Sequence, residues 1–201
     1  MDKKIDRRIL RTQQQLKEAL FDLAAYQTPD GITVKQLTDH AGLNRGTFYL
    51  HYQGMDEFFE QLKEEILDEY YAIIKKLAYT TQDREPFTDP PAGFVRPFQY
   101  ICEHQRFFTL FMGSAKDGDF AQRLTELLKQ QFQYSYLAKN PHKELHDIPV
   151  KQLYLFAYMA SAYVGCIKFW IQRHFDVSPS EMAILFSEIS RLGSAQLYDA
   201  D

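Results

Sequence analysis

Apolar residues spaced three and four apart recur along almost the whole chain, and no segment shows the strict alternation of a half-buried strand. The clearest stripe is Phe59, Leu62, Ile66, Tyr70, Ile73 and Leu77, which predicts a long helix over about 55–79. Its other side carries Glu57, Glu60, Lys63, Glu64, Asp68 and Glu69, a face suited to water. Before it, Ile9, Leu16, Leu20 and Leu23 mark a first helix that Thr28-Pro29-Asp30-Gly31 stops. After it, residues 80–93 read as a linker, followed by helical segments at about 94–113 and 118–138. A break at 139–149 precedes an apolar helix at about 150–174. Ser178, Pro179 and Glu181 stand at the N-cap, first and third positions of a last helix over 178–195. With 201 residues, 45% of them hydrophobic, the chain can bury a real core. These patterns predict an all-α fold.

Thr33 to Tyr52 carries the most specific local chemistry. Thr33 and Gln36 are spaced for a capping box at the start of a short helix. Gly42 offers the left-handed backbone that a tight helix-to-helix turn requires, and Asn44 is placed to cap a second short helix. Val34, Leu37, Ala41, Leu43 and Phe48 are left to pack the pair together. The result is a helix-turn-helix. On its second helix Arg45 can donate two parallel hydrogen bonds to guanine or grip a phosphate, and Gly46 lets the backbone come close. Thr47, Tyr49 and His51 present polar tips, while Thr33 and Lys35 flank a helix N-terminus whose free N–H groups favour phosphate. The bland reading is a capped helix pair with solvated polar residues, which many all-α proteins contain.

Charge is unevenly placed. The net value is −4, yet residues 3–17 hold Lys3, Lys4, Arg7, Arg8, Arg11 and Lys17 against the single acid Asp6. Such a basic arm is what phosphate binding needs. The charged N-terminus lacks the apolar core of a secretory signal, and no run approaches about eighteen uninterrupted apolar residues, so a cytoplasmic protein without a membrane span is expected.

Thr33-Val34 through Ala41-Gly42-Leu43 and Asn44-Arg45-Gly46-Thr47-Phe48-Tyr49-Leu50-His51-Tyr52, continued by Asp56-Glu57-Phe58-Phe59, closely resemble the TetR-family motif. The resemblance covers roughly residues 5–70. Gly165 to Glu181 is similar, less specifically, to the C-terminal region of a Firmicutes-type subgroup of these regulators. What the resemblance implies is a helix-turn-helix DNA-binding domain at 1–54 and a helical effector-binding and dimerisation domain at 55–201. It further implies a homodimer reading palindromic operator DNA through Thr33, Lys35, Asn44, Arg45, Gly46, Thr47, Tyr49 and His51. A small apolar or aromatic effector would release a repressor of this kind; an activator, or a co-regulator working through a protein partner, remains open. One departure is Gln53 and Met55, where the family usually has lysines; phosphate contacts there would rest on backbone N–H groups or on the Lys3–Arg11 arm.

In the C-terminal half, residues 94–138 are dense in aromatics: Phe94, Phe98, Tyr100, Phe107, Phe108, Phe111, Phe120, Phe132, Tyr134 and Tyr136. Most are expected to be core. The family resemblance implies an effector cavity, for which Tyr100, Phe107, Phe111, Met112, Tyr158 and Met159 are the candidates. Ala157, Ser161 and Gly165 are small residues four apart that admit another helix closely. Val164, Ile167, Phe169, Trp170 and Ile171 make the same helix apolar nearly all round. With Met182, Leu185, Phe186 and Ile189 it fits a dimer interface, or burial inside one subunit. Cys102 and Cys166 are expected to be small buried residues without a disulfide. His142 and His146 stand four apart in the 139–149 break without the order of a metalloprotease motif, and His40, His51, His104 and His174 are scattered. Neither catalysis, a cofactor nor a metal is indicated.

Overall fold

The computed structural model describes residues 7–76, 90–113 and 118–198, and among these it contains helices and turns but no strand. The chain forms two compact units, Met1–Glu65 and Ile66–Asp201. The division falls inside one helix, α4 (Met55–Ile74), so that helix serves two cores.

The first unit consists of α1 (Arg7–Ala24), α2 (Val34–Ala41), α3 (Arg45–Tyr49) and the opening turns of α4. A 3-10 turn at Pro29–Gly31 follows α1, where proline and glycine had been expected to stop it. Leu16, Ala19 and Leu20 on α1 meet Leu37 on α2 in the core, with Phe48 and Phe58 equally buried. Ile9, expected in the stripe of α1, is exposed. Lys17 grips the Glu65 carboxylate with both oxygens within 2.6 Å, which removes it from the basic arm as a free cation. Lys3 and Lys4 lie outside the described residues.

The second unit contains the remainder of α4, then α5 (Ala92–Glu103), α6 (Gln105–Met112), α7 (Gly118–Lys139), α8 (Val150–Gln172) and α9 (Pro179–Tyr198). α7 packs on α8, α5 on α9, and α6 on both α7 and α8. The start of α9 matches its sequence signature: the Ser178 N–H donates to Glu181 at 2.7 Å and the Glu181 N–H to the Ser178 hydroxyl at 3.2 Å. By length and composition α8 could cross a membrane, but half of its most apolar window is buried inside the protein. Phe156, Ile167, Trp170 and Ile171 are among its buried side chains.

Three expectations are corrected. The helix predicted over about 94–113 is two, because His104 leaves helical geometry (φ −109°, ψ 28°) and stacks its ring on Tyr100 at 4.3 Å. The break re-aims α6, so that Phe107, Phe108, Phe111 and Met112 form one buried face. No glycine or proline marks this point, and periodicity ran straight through it. On α4 the buried row is Phe58, Leu62, Ile66, Tyr70 and Ile74, at steps of four; Phe59 and Ile73 are only half-buried. A helix shared between two cores presents no single stripe along its length. Its regular part ends at Ile74, and the predicted stretch from Leu77, with most of the linker over 80–93, lies outside the described residues. Finally, Cys102 and Cys166 are free thiols that are partly rather than fully buried, and burial pushes each upward from its ordinary titration range.

Two local features bear on stability. The corner between α8 and α9 holds His174 and Phe175 in the left-handed region, each at φ 56°. Phe175 is fixed there by its N–H to the Trp170 carbonyl and by its ring 5.2 Å from that of Trp170. His174 is exposed and has no such compensation in its side chain's packing. A non-glycine residue in this region costs about 1–2 kcal/mol, offset in part by the greater unfolded-state entropy of glycine. His174→Gly is therefore expected to raise stability by roughly 0.5–1 kcal/mol, a few degrees in thermal unfolding at most. Phe175→Gly is expected to lower it by removing the ring from Trp170.

The second feature is a hydroxyl pair in the core, Tyr70 to Tyr163 at 2.5 Å. Burial first, then the neighbouring Tyr163, holds the Tyr70 phenol well above the usual tyrosine range. The folded state thus binds this proton more tightly than the unfolded chain, so stability is intact below about pH 10 and is lost as pH rises beyond it. Chemical denaturation across pH 8–11 should show a falling alkaline limb that is shallower in Tyr70→Phe. At neutral pH the same variant is expected to cost about 1 kcal/mol, since the Tyr163 hydroxyl loses this partner.

Candidate nucleic-acid interface

A five-residue helix cannot hold itself together in water, so α3 must be built from its ends and its buried side. Its N-terminus is capped by Asn44, whose side-chain oxygen accepts from the Gly46 N–H at 2.8 Å. Its predecessor α2 begins at a complete capping box: the Thr33 hydroxyl accepts from the Gln36 N–H at 3.2 Å, and the Thr33 N–H donates to the Gln36 amide oxygen at 3.0 Å. Between them Gly42 adopts φ 65°, ψ 32°, and its N–H reaches the carbonyls of Asp39 and Thr38. A side chain at that φ would be strained, although space around it is open. Thr38, fully buried, returns its hydroxyl to the Val34 carbonyl at 2.8 Å and so carries no unsatisfied group into the core.

The buried side of α3 is a single residue. Phe48 lies 5.2 Å from the ring of Tyr52 and 6.0 Å from that of Phe58, and the latter two are 4.9 Å apart. Tyr52 is buried enough that desolvation raises its phenol above the ordinary range, while Gln13 on α1 partly offsets this by hydrogen bonding. This anchor decides what faces out. Arg45, Gly46, Tyr49 and Leu50 are exposed, and Thr47 and His51 lie at the margin, half-buried.

The predicted residues thus occupy one continuous segment, with Thr33, Lys35 and Asn44 exposed beside the outward face of α3. Two of them are partly engaged. The Thr33 hydroxyl also donates to Gln36 at 2.9 Å, and the Asn44 oxygen is committed to its cap, leaving its NH₂ group to donate. Leu50, exposed beside these residues, is not among those that the sequence singles out. Helical spacing places it four residues from Gly46 and two from Phe48, away from the packed side, which is the signal that could have found it.

At the start of α4 one of the expected backbone donors is engaged. The Gln53 N–H donates to the Glu57 carboxylate at 2.5 Å. Among described cations of the arm, Arg7, Arg8 and Arg11 are exposed. Arg11 also lines an open groove of about 380 Å³ with Gln14, Gln15, Glu18, Asp22 and His40, where His40 meets Asp22 at 3.2 Å.

The six residues predicted for an effector divide differently. Tyr100, Phe107, Phe111, Met112 and Met159 are buried, whereas Tyr158 is half-exposed on α8. Phe107 lies 4.6 Å from Phe111 and 5.0 Å from Phe120, and Tyr100 donates its hydroxyl to Glu69 of α4 at 2.8 Å. Of the other aromatics, Phe98, Phe108, Phe120 and Phe132 are core and Tyr134 is exposed. In the 139–149 segment His146 stands 3.6 Å from Glu144 and 3.4 Å from Asp147. Among the described residues no group of three or more His, Cys, Asp or Glu is placed to hold a metal.

Comparison with known proteins agrees with this geometry. Residues 17–62 match the family model for bacterial regulatory proteins of the tetR family, and residues 88–191 match one for a transcriptional regulator C-terminal region. An uncharacterised HTH-type transcriptional regulator, YxbF of Bacillus subtilis, is 39% identical over 62 residues, a match spanning 30% of this chain and 16% of that protein. The structure of the dihydroxyacetone kinase operon activator DhaS is similar in fold, with a TM-score of 0.59 at 19% identity, covering 92% of this chain and 95% of that one. So is NalD, the secondary repressor of the MexAB-OprM multidrug efflux pump in Pseudomonas aeruginosa, with a TM-score of 0.58 at 15% identity and coverage of 92% and 95%. A helix-turn-helix with its caps and turn in place, joined to a matching C-terminal region, makes this chain a DNA-binding transcription regulator, and it belongs to the TetR family.

Proposed function

We propose that the protein is a ligand-responsive repressor that binds palindromic operator DNA as a homodimer and is released by a small apolar or aromatic effector. The observation that carries the DNA-reading part is the outward face of α3, a forked cation beside a glycine and a phenol, held out by a fully buried Phe48. In this reading Arg45 takes a guanine, Tyr49, Thr47 and His51 take phosphate or base edges, and Thr33, Lys35 and Asn44 take the flanking phosphates. Residues 1–54 form the reading domain and 55–201 the effector and dimerisation domain, with α4 running out of the first. The protein acts in the cytoplasm, where its operator is.

Dimerisation is supported by a stripe that a single chain leaves uncovered. Tyr154 and Tyr158 on α8, 75% and 50% exposed, are followed along the same face by Ser161, Gly165 and Phe169, the last 61% exposed. Leu185 and Ile189 continue the apolar surface onto α9. A side chain at Gly165 would meet nothing within 4 Å, so space remains there for an approaching helix. Val164, Ile167, Trp170 and Ile171 by contrast fill the chain's own core. Two-fold pairing would place two copies of α3 about one DNA turn, ~34–36 Å, apart.

For the effector, one of the five buried candidates, Tyr100, holds Glu69 of α4 and lies 5.8 Å from the ring of Tyr70, which meets Tyr163. An apolar ligand entering between these rings must displace packed side chains, and through Glu69 and Tyr70 it would act on α4. Coupling of ~1–3 kcal/mol, about 5–150-fold in operator affinity, is the usual scale. The ligand must bind the released state more tightly, or it regulates nothing. Tyr158 belongs with the dimer stripe in this reading.

A second reading, a co-regulator that acts through a protein partner, is favoured by one observation: Glu57 occupies the Gln53 N–H where a phosphate contact was expected. Selection of the full chain on random duplex DNA separates the two. Enrichment of a palindrome is expected, and its absence sinks the repressor reading. A promoter fusion to the selected site then reads the sign, since an activator would raise expression. Arg45→Ala is expected to lose about 5–150-fold on the selected site and to relax preference at one guanine, with little change on random DNA. Equal losses on both would place Arg45 on a phosphate. Phe169→Glu is expected to give monomers in sedimentation at micromolar concentration and to abolish the preference for paired half-sites. A wild-type monomer under the same conditions would remove the dimer.

A further inference from the structure

Leu50 is 81% exposed, and among the described large apolar side chains only Tyr26 is more so. Folding does not call for a leucine there. The residue closes α3 through its backbone, its N–H reaching the carbonyls of Gly46 and Phe48, and any residue other than proline could do the same. Its position is what sets it apart from other surface leucines: at the C-cap of the reading helix it stands one turn on from Gly46, on the side opposite the buried Phe48, next to the exposed Tyr49 and at the other end of the helix from the exposed Arg45.

The exposed surface of this helix is chemically mixed. Arg45 and Tyr49 offer hydrogen bonds, and Gly46, at i−4 from Leu50, offers no side chain that would hold the leucine away from a surface laid against the helix. In the major groove every base edge presents donors or acceptors, with one apolar feature, the C5 methyl group of thymine. An isobutyl group pressed against any other edge covers a polar atom without replacing its water. Against thymine it removes two apolar surfaces from water together. Five residues at about 1.5 Å each put Leu50 about 7.5 Å along the axis from Arg45, on the order of two base-pair steps of ~3.4 Å.

We propose that Leu50 reads a thymine in each half-site through its C5 methyl group, about two base-pair steps from the guanine taken by Arg45. This rests on the DNA-reading function proposed above and adds to it a second base with its chemistry.

The test uses the full chain and a duplex carrying the selected half-sites, with each thymine replaced in turn by deoxyuridine, which lacks only the methyl group. At one thymine per half-site the exchange is expected to weaken wild-type binding roughly fourfold, the worth of one methyl taken out of water. Leu50→Ala should bind the thymine and uracil duplexes alike, Leu50→Met should restore the difference, and all three proteins should melt together because the side chain is exposed. Three results would overturn the proposal. Wild type could show no sensitivity to any methyl; Leu50→Ala could keep the full sensitivity, which assigns the methyl to another residue such as Tyr49; or Leu50→Ala could lose affinity equally on selected and random DNA. If selection enriches no site at all, the DNA-reading function fails and takes this with it, whereas an enriched palindrome without a sensitive thymine removes Leu50's role alone.

Discussion

Phe48 decides which way the reading helix faces. A helix of five residues has no stripe and no length with which to orient itself, so one buried ring must do it. Phe48 is seated against Tyr52 and Phe58, one just past α3 and one on the first turns of α4. With that ring inside, helical geometry sends Gly46 and Leu50 to the opposite side, while Tyr49 and Arg45, the latter at the first position of the helix, are exposed at its flanks. The caps at Thr33 and Asn44 and the left-handed Gly42 then hold the ends that such a short element cannot hold for itself. Every proposed base or phosphate contact inherits its direction from this packing.

The second unit uses the same material for a different end. Its aromatics do not orient a surface but tie one helix to the others: Tyr70 on α4 meets Tyr163 on α8, and Tyr100 on α5 meets Glu69 on α4. Buried hydroxyls of this kind are costly if unpaired, so the arrangement favours one register of α4 over its neighbours. A ligand that separates these rings would release that preference without breaking the apolar packing of α7 on α8. The outer face of α8 is left free of this work, and there the small residues Ser161 and Gly165 lie between Tyr158 and Phe169. A face that buried nothing and met only water would gain from polar residues at those positions.

Much of this was readable in the sequence, and the readable parts share a cause. Thr33 with Gln36, Gly42, Asn44, and Ser178 with Glu181 are local devices whose partners lie within four residues, so spacing alone identifies them. What spacing missed depends on partners far along the chain. The break at His104 carries no helix breaker and exists because its ring stacks on Tyr100 while α6 turns Phe107 and Phe111 inward. The row on α4 moved by one residue, to Phe58 and Ile74, because two cores rather than one determine it. Tyr158 was grouped with pocket residues since a tyrosine on an apolar helix can face either way; only the packing of α8 sends it outward. Leu50 is open in the same way: an apolar residue on a short helix can be buried or exposed, and only the seating of Phe48 turns it outward.

The departures from the family's basic pattern now have a physical meaning. Lys17 is spent on Glu65 and the Gln53 N–H on Glu57, so two features that could have gripped phosphate instead brace α1 and α4 within the first unit. Phosphate contacts supply affinity that is indifferent to sequence and is released by salt. With these two features engaged, phosphate contacts would fall to the arginines of the arm, and a head with fewer of them would gain less from any DNA and, in the proposed dimer, rely more on base edges and on pairing with a second copy. In the proposed reading, discrimination between operator and random DNA would then be set chiefly by Arg45, Tyr49 and Leu50, because contacts that distinguish bases make up a larger share of a smaller total. An acidic chain of net charge −4 works in the same direction, since repulsion from non-specific DNA leaves free the molecules that the operator must capture.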